Sequence, residues 1–138
     1  MQEKLFKSLR AAQTLDADQM FNVVLSDKGL QDFIIGLNLD QLDSGEDSLG
    51  VSLESIGGEY TNLTVVIKNA KNQPTDRVTL KDTGEYYDSY SLDLGKGFFD
   101  INSDPIKGGE NLENRYGDNL EGLQDDNLQK LSKRLYGL

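Results

Sequence analysis

The sequence predicts an α+β fold: N-terminal helices, a small antiparallel β-sheet with a hairpin, and a C-terminal helix. Three observations carry this. Leu30, Phe33, Ile34 and Leu37 recur at i, i+3, i+4 and i+7, the stripe of a helix with one buried face. Two alternating runs, Ser89 to Leu94 and Phe98 to Ser103, flank Gly95-Lys96-Gly97, which signals a β-hairpin. Leu128, Leu131 and Leu135 line one face of a segment starting near Asp125. Its last turn carries Lys133 and Arg134, which complement the helix dipole, and Gly137 follows.

The remaining elements follow in chain order. Residues 3–13 form a short helix with Leu5, Phe6 and Leu9 on one face. Asp16 or Asp18 is placed to cap a second helix carrying Met20, Phe21, Val24 and Leu25. Ser26 or Asp27 is placed to cap the third. Residues 1–42 are therefore the helical part of one domain spanning 1–138. Residues 43–58, rich in Gly, Ser, Asp and Glu, are a loop whose composition suits ordering on assembly. Residues 59–138 hold the hairpin core and the C-terminal helix. Within them, 59–69 is open between strand and helix, and the β-branched run Thr64-Val65-Val66-Ile67 favours a strand. Asn69 to Asp76, with Pro74, is a loop, and Arg77 to Leu80 is a short strand or extended lead-in. Asp82 stands three residues before Glu85, the spacing of a capping box. A short helix follows, with Tyr86, Ser89 and Tyr90 on one face. Asp104 to Gly122 is a polar connection.

Composition removes whole classes of function. A chain of 138 residues has the length of one domain. No apolar run approaches the roughly 18 residues of a membrane span, so no membrane partner is expected. Met1-Gln2-Glu3-Lys4 leads into a charged amphipathic stretch and does not read as a secretory signal. With no Cys and no His, disulfide scaffolds, thiolate sites, histidine-dependent triads and the usual zinc sites fall away. A net charge of -10 argues against specific nucleic-acid binding, which needs a basic surface.

The charge comes in blocks. Residues 16–59 carry ten acids against Lys28 alone, and residues 82–126 carry twelve acids against Lys96, Lys107 and Arg115. Between and after them lie two basic stretches. Lys68, Lys71, Arg77 and Lys81 face only Asp76, and Lys130, Lys133 and Arg134 face no acid after residue 126. This pattern fits a solvated acidic surface. It also fits a self-complementary subunit whose basic faces meet a neighbour's acidic ones. On that second reading these seven cations are the candidate subunit contacts.

Motifs that carry chemistry are incomplete. Asp100, Asn102 and Asp104 supply positions 1, 3 and 5 of a calcium loop. Pro105 stands where Gly is needed, however, and Asn111 where a bidentate Glu belongs. Glu54, Glu59, Glu85 and Asp88 are nominal acids for a glycosidase, yet no spacing marks a pair among 24 acidic residues. Asn62-Leu63-Thr64 matches the glycosylation triplet by chance composition. No Gly-rich phosphate loop is present. No catalytic, cofactor or metal residue is expected, and the chain is not expected to be an enzyme.

The most informative stretch is Arg77 to Tyr90. Local physics gives its residues structural roles. Leu80 anchors, Asp82 and Thr83 satisfy helix N–H groups, Gly84 allows close backbone approach, and Tyr86 packs inward. Its pattern Leu-x-x-Thr-Gly-x-aromatic-x-x-Ser, on Leu80, Thr83, Gly84, Tyr86 and Ser89, resembles that of the tail-completion (virion-morphogenesis) proteins of tailed bacteriophages. Gly57-Gly58-Glu59-Tyr60-Thr61, with Lys68 and Lys71 after it, resembles that family's Gly-aromatic segment. Gln73 to Leu80 resembles its lead-in. Tyr116-Gly117 falls at its His-x-x-Gly turn, without the His. Gly122-Leu123-Gln124-Asp125-Asp126 resembles the start of its last helix. The resemblance covers roughly the C-terminal two thirds. It implies a structural virion protein made in the host bacterial cytoplasm. Such a protein forms a homo-oligomeric ring of about six or twelve copies at the neck or upper tail. Its partners would be portal, connector or tail proteins, and it would need no cofactor. An acidic ring lumen would let DNA pass without sticking. Two other classes fit parts of the sequence: a small acidic inhibitor that mimics DNA, and a carboxylate-dependent cell-wall hydrolase.

Overall fold

The computed structural model describes residues 22, 25–60, 62–81, 84–95, 98–107 and 109–136. The expected first helix, all of the second except Asn22 and Leu25, Asp82, Thr83, the hairpin turn at Lys96-Gly97 and Gly137 lie outside them.

Helix α1 spans Lys28–Asp43. Asp27 caps it, accepting the Leu30 N–H at 3.1 Å, so one of the two caps read from the sequence is the one used. Leu30, Ile34 and Leu37 are buried on the expected stripe, and Phe33 packs at its edge.

The chain then departs from expectation. Residues 43–58 are not simply loop. The Asp47 side chain, 2% exposed, accepts the N–H groups of Leu49 and Val51, which closes a turn. Glu46 then bridges to Ser52, and helix α2, Leu53–Gly57, follows with Leu53 fully buried. The strand favoured at 64–67 is also corrected: α3 spans Asn62–Ala70. Leu63, Val66, Ile67 and Ala70 recur at helical spacing, and that period outweighs β-branching, whose preference is set by packing context.

Arg77 to Leu80 is an irregular lead-in outside any sheet. Helix α4 is the single turn Glu85–Asp88, with Gly84 at its N-cap. Gly84 has φ +88°, and nothing lies near the position its Cβ would take. Its freedom serves the turn rather than a close approach. Strands β1, Ser91–Gly95, and β2, Phe98–Asn102, pair antiparallel with Asp93 opposite Asp100 and Gly95 opposite Phe98. A second antiparallel pair joins β3, Ile106–Lys107, to β4, Glu110–Asn111. Helix α5, Leu112–Tyr116, is capped by Asn111, and α6 spans Asp125–Tyr136. The fold is thus mixed α+β, with small antiparallel pairs and a C-terminal helix.

Two apolar clusters organise the chain. The first gathers Leu42, Leu53, Val78, Leu80, Tyr86, Tyr90, Leu112, Tyr116 and Leu120. The second gathers Leu25, Leu30, Ile34, Leu37 and Leu131, with Leu92, Phe99 and Leu135 against it. The inner face of the hairpin closes the second cluster, and Ile101 touches both.

Candidate interaction site

The stretch singled out by its sequence is a structural hub. Tyr86 is buried, its ring meets Tyr90 edge-on at 5.3 Å, and the two hydroxyls lie 2.9 Å apart. Ser89 Oγ donates to the Tyr86 carbonyl at 2.6 Å and accepts the Asp104 N–H at 3.0 Å, which ties α4 to the exit of β2. Tyr90 donates to the Leu120 carbonyl at 3.3 Å. Burial pushes the hydroxyls of Tyr86, Tyr87, Tyr90 and Tyr116 above the ordinary phenol range. Leu80 is buried at φ +60°, a left-handed backbone that a Leu side chain rarely adopts. It lies in a peptide run clamped by two tyrosines. Tyr60 Oη accepts the Thr79 N–H at 2.9 Å, and Tyr87 donates to the Thr79 carbonyl at 2.6 Å.

Beside this hub lies a cleft of about 400 Å³ between α3 and the β3–β4–α5 segment. Tyr60, Leu80, Leu112 and Tyr116 form its floor, and Lys68, Lys81, Lys107 and Arg115 supply cations around Glu110. This is a local concentration of positive charge in a chain of net charge -10. Arg115 is braced by the Gly57 carbonyl at 3.0 Å and by Glu110 at 3.5 Å, over the Tyr116 ring.

The α3 helix is turned inside out. Its cation Lys68 is 5% exposed, while Leu63 is 70%, Val66 64% and Ile67 43% exposed. Lys68 donates to the Lys81 carbonyl at 2.8 Å and sits 4.7 Å from the centre of the Tyr60 ring. Its charge is therefore engaged within the subunit. Arg77 is paired at the surface, donating to the Asp43 carbonyl at 2.5 Å and to Asp76 at 2.8 Å. Lys71, Lys81, Lys130 and Lys133 remain exposed, and Arg134 lies over the Phe33 ring. These cations form no single patch: Lys81 belongs to the cleft, while Lys130, Lys133 and Arg134 lie on α6.

The nominal acids resolve as surface groups. Glu54 and Glu59 meet, and their shared hydrogen bond holds the Glu54 carboxyl above its usual range. Both stand at the surface, without the enclosed site that general acid chemistry on a sugar requires. Glu85 and Asp88 are exposed on α4. The calcium-like residues serve local structure. Asn102 donates to Asp93, and Asp104 accepts the Ile106 N–H. Among the described residues, no group of three or more acids stands close enough to hold a metal ion. Nor is any helix there long and apolar enough to cross a membrane.

The cleft and the outward aliphatic face were missed by sequence reading. The available signal was the spacing of Leu63, Val66, Ile67 and Ala70, with Lys68 on the opposite side of the same helix. Compared with known proteins, the chain matches no family model, no curated protein and no solved structure.

Proposed function

We propose that this chain is a structural subunit of a tailed-phage particle, assembled as a ring at the neck or upper tail and contacting portal, connector or tail proteins. The observation that carries the reading is the inverted α3 helix. Three aliphatic side chains face solvent at helical spacing beside a basic cleft. An apolar stripe rimmed by charge is the form of a protein–protein contact. The resemblance on Leu80, Thr83, Gly84, Tyr86 and Ser89 supports this choice of assembly, and of these Leu80 and Tyr86 pack in the first cluster beside the cleft.

Quantitative mass spectrometry of purified particles tests it. About six or twelve copies per particle are expected, as a closed ring requires. A chain abundant in infected cells but missing from particles overturns the reading.

A further inference from the structure

The outward face of the β1–β2 hairpin is the chemical complement of the α3 cleft. Ser91, Asp93, Phe98, Asp100 and Asn102 share that face, since alternate residues of paired strands point the same way. Asp93 and Asp100 stand directly opposite each other, so two like charges are held side by side in the isolated subunit. The Phe98 ring lies across Gly95 and is 53% exposed. Both strands are edges of a two-stranded sheet, with backbone groups left for a further partner. The cleft and the helix beside it offer the converse: Lys81, Lys107 and Arg115 in the cleft for two carboxylates, Ile67 at its wall for an aromatic ring, and Leu63 and Val66 exposed on the same helix outside it.

The two faces are built on different apolar clusters. The cleft is floored by the first cluster, while the hairpin is backed by the second. Resting on the particle reading above, we propose that the hairpin face of one copy docks on the α3 cleft of the next. The occupant of the stripe is thus a second copy of this chain, joined head to tail. Such a contact uses two different faces and closes into a ring when its rotation allows. Pairing Asp93 and Asp100 with cleft cations relieves their mutual repulsion, and Phe98 covers the aliphatic stripe.

The absence of native Cys gives a clean test. Val66→Cys and Phe98→Cys chains are mixed, oxidised and separated by size. The expected product is a disulfide joining Val66→Cys to Phe98→Cys, formed roughly tenfold faster than one between Val66→Cys and the control Leu128→Cys. In the same assay, Lys81→Glu/Lys107→Glu in the first chain slows linkage roughly tenfold, as does Asp93→Lys/Asp100→Lys in the second. Combining the two swaps restores it. Thermal melts establish that each variant is folded, and the two swaps act on different faces, so a failure of one leaves the other as a test. Linkage of Val66→Cys chains chiefly to each other would indicate a two-fold dimer and overturn the proposal. No preference over the control overturns it too. Linkage inside particles to a different virion protein overturns it while leaving the particle reading intact. Head-to-tail linkage by a chain missing from particles does the reverse.

Discussion

The side chain of Asn38 holds the backbone of Gly122. Its Oδ1 accepts the Gly122 N–H at 2.7 Å, and its Nδ2 donates to the neighbouring Leu120 carbonyl at 3.0 Å. Asn38 is fully buried; the Gly122 N–H depends on it, while the Leu120 carbonyl shares it with the longer bond from Tyr90. Gln41, one turn later, donates to the Gly122 carbonyl and accepts the Gln124 N–H, and Asn127 donates back to Gln41. Three amides thereby fasten α1 to the entry of α6. Asn38→Ala should cost about 1–3 kcal/mol, because the Gly122 N–H loses its partner, the Leu120 carbonyl keeps only the Tyr90 bond, and a cavity opens. Urea unfolding measures it. A loss below about 0.5 kcal/mol would mean that water replaces the amide.

This clasp also marks where the sequence stops being legible. The α1 stripe, its Asp27 cap, the hairpin and the α6 helix followed from period and turn chemistry, since each signal is local. Asn38 and Gln41 fall on the polar side of no simple pattern, and their partners lie more than 80 residues away. Helix α2 was hidden because Gly, Ser and Asp dominate its surroundings, while Leu53 alone drives its burial. Helix α3 stayed open between strand and helix because Val65, Val66 and Ile67 suit a strand, and because its apolar side faces outward. Burial of a cation in its place becomes intelligible only with Tyr60 and the Lys81 carbonyl beside it.

Leu80 gives a prediction that reverses the usual order of substitutions. Its side chain is buried in the first cluster, but its backbone sits at φ +60°. Leu80→Ala forfeits the packing, about 2–5 kcal/mol, and keeps a strain of about 1–2 kcal/mol. Leu80→Gly forfeits the same packing and releases the strain, less about 0.4–1 kcal/mol for the freer unfolded chain. The Gly variant should therefore be the more stable of the two by roughly 0.5–1 kcal/mol. Chemical denaturation of the pair decides it. An Ala variant equal to or better than Gly would show that the lead-in relaxes to an ordinary backbone.

Glu113 supplies a pH dependence of definite sign. Partial burial first, and then the charges of Glu121 and Asp118, hold its carboxyl above the ordinary value of 4.5. The folded protein therefore binds this proton more tightly than the unfolded chain does. Its stabilising contribution is fully present below pH 4.5 and is lost as the pH rises through the folded pKa. Glu113→Gln should leave stability at low pH unchanged and raise it at pH 7 by about 0.2–1 kcal/mol, the scale of a solvent-screened charge. Melting curves at pH 4 and pH 7 read this out. A lower melting point at pH 7 would show that the carboxylate serves the N-terminus of α5 more than it suffers from its neighbours.

Lys68 separates folding from assembly. Its ammonium is enclosed by a carbonyl oxygen and an aromatic face, both of which attract a cation and repel an anion. Lys68→Met keeps the aliphatic stem and strands the Lys81 carbonyl, at a cost of about 1–3 kcal/mol. Lys68→Glu places a buried carboxylate against both acceptors and should cost about 3–5 kcal/mol, enough to unfold a marginal domain. Lys81→Glu acts on an exposed side chain and should change stability by no more than about 0.5 kcal/mol. Thermal melts run beside particle incorporation distinguish the two. Lys68→Glu should lose incorporation together with its fold, whereas Lys81→Glu should weaken incorporation with its fold intact. A stable Lys68→Glu chain would mean that α3 turns its cation to solvent, and the outward aliphatic stripe would then no longer describe this surface.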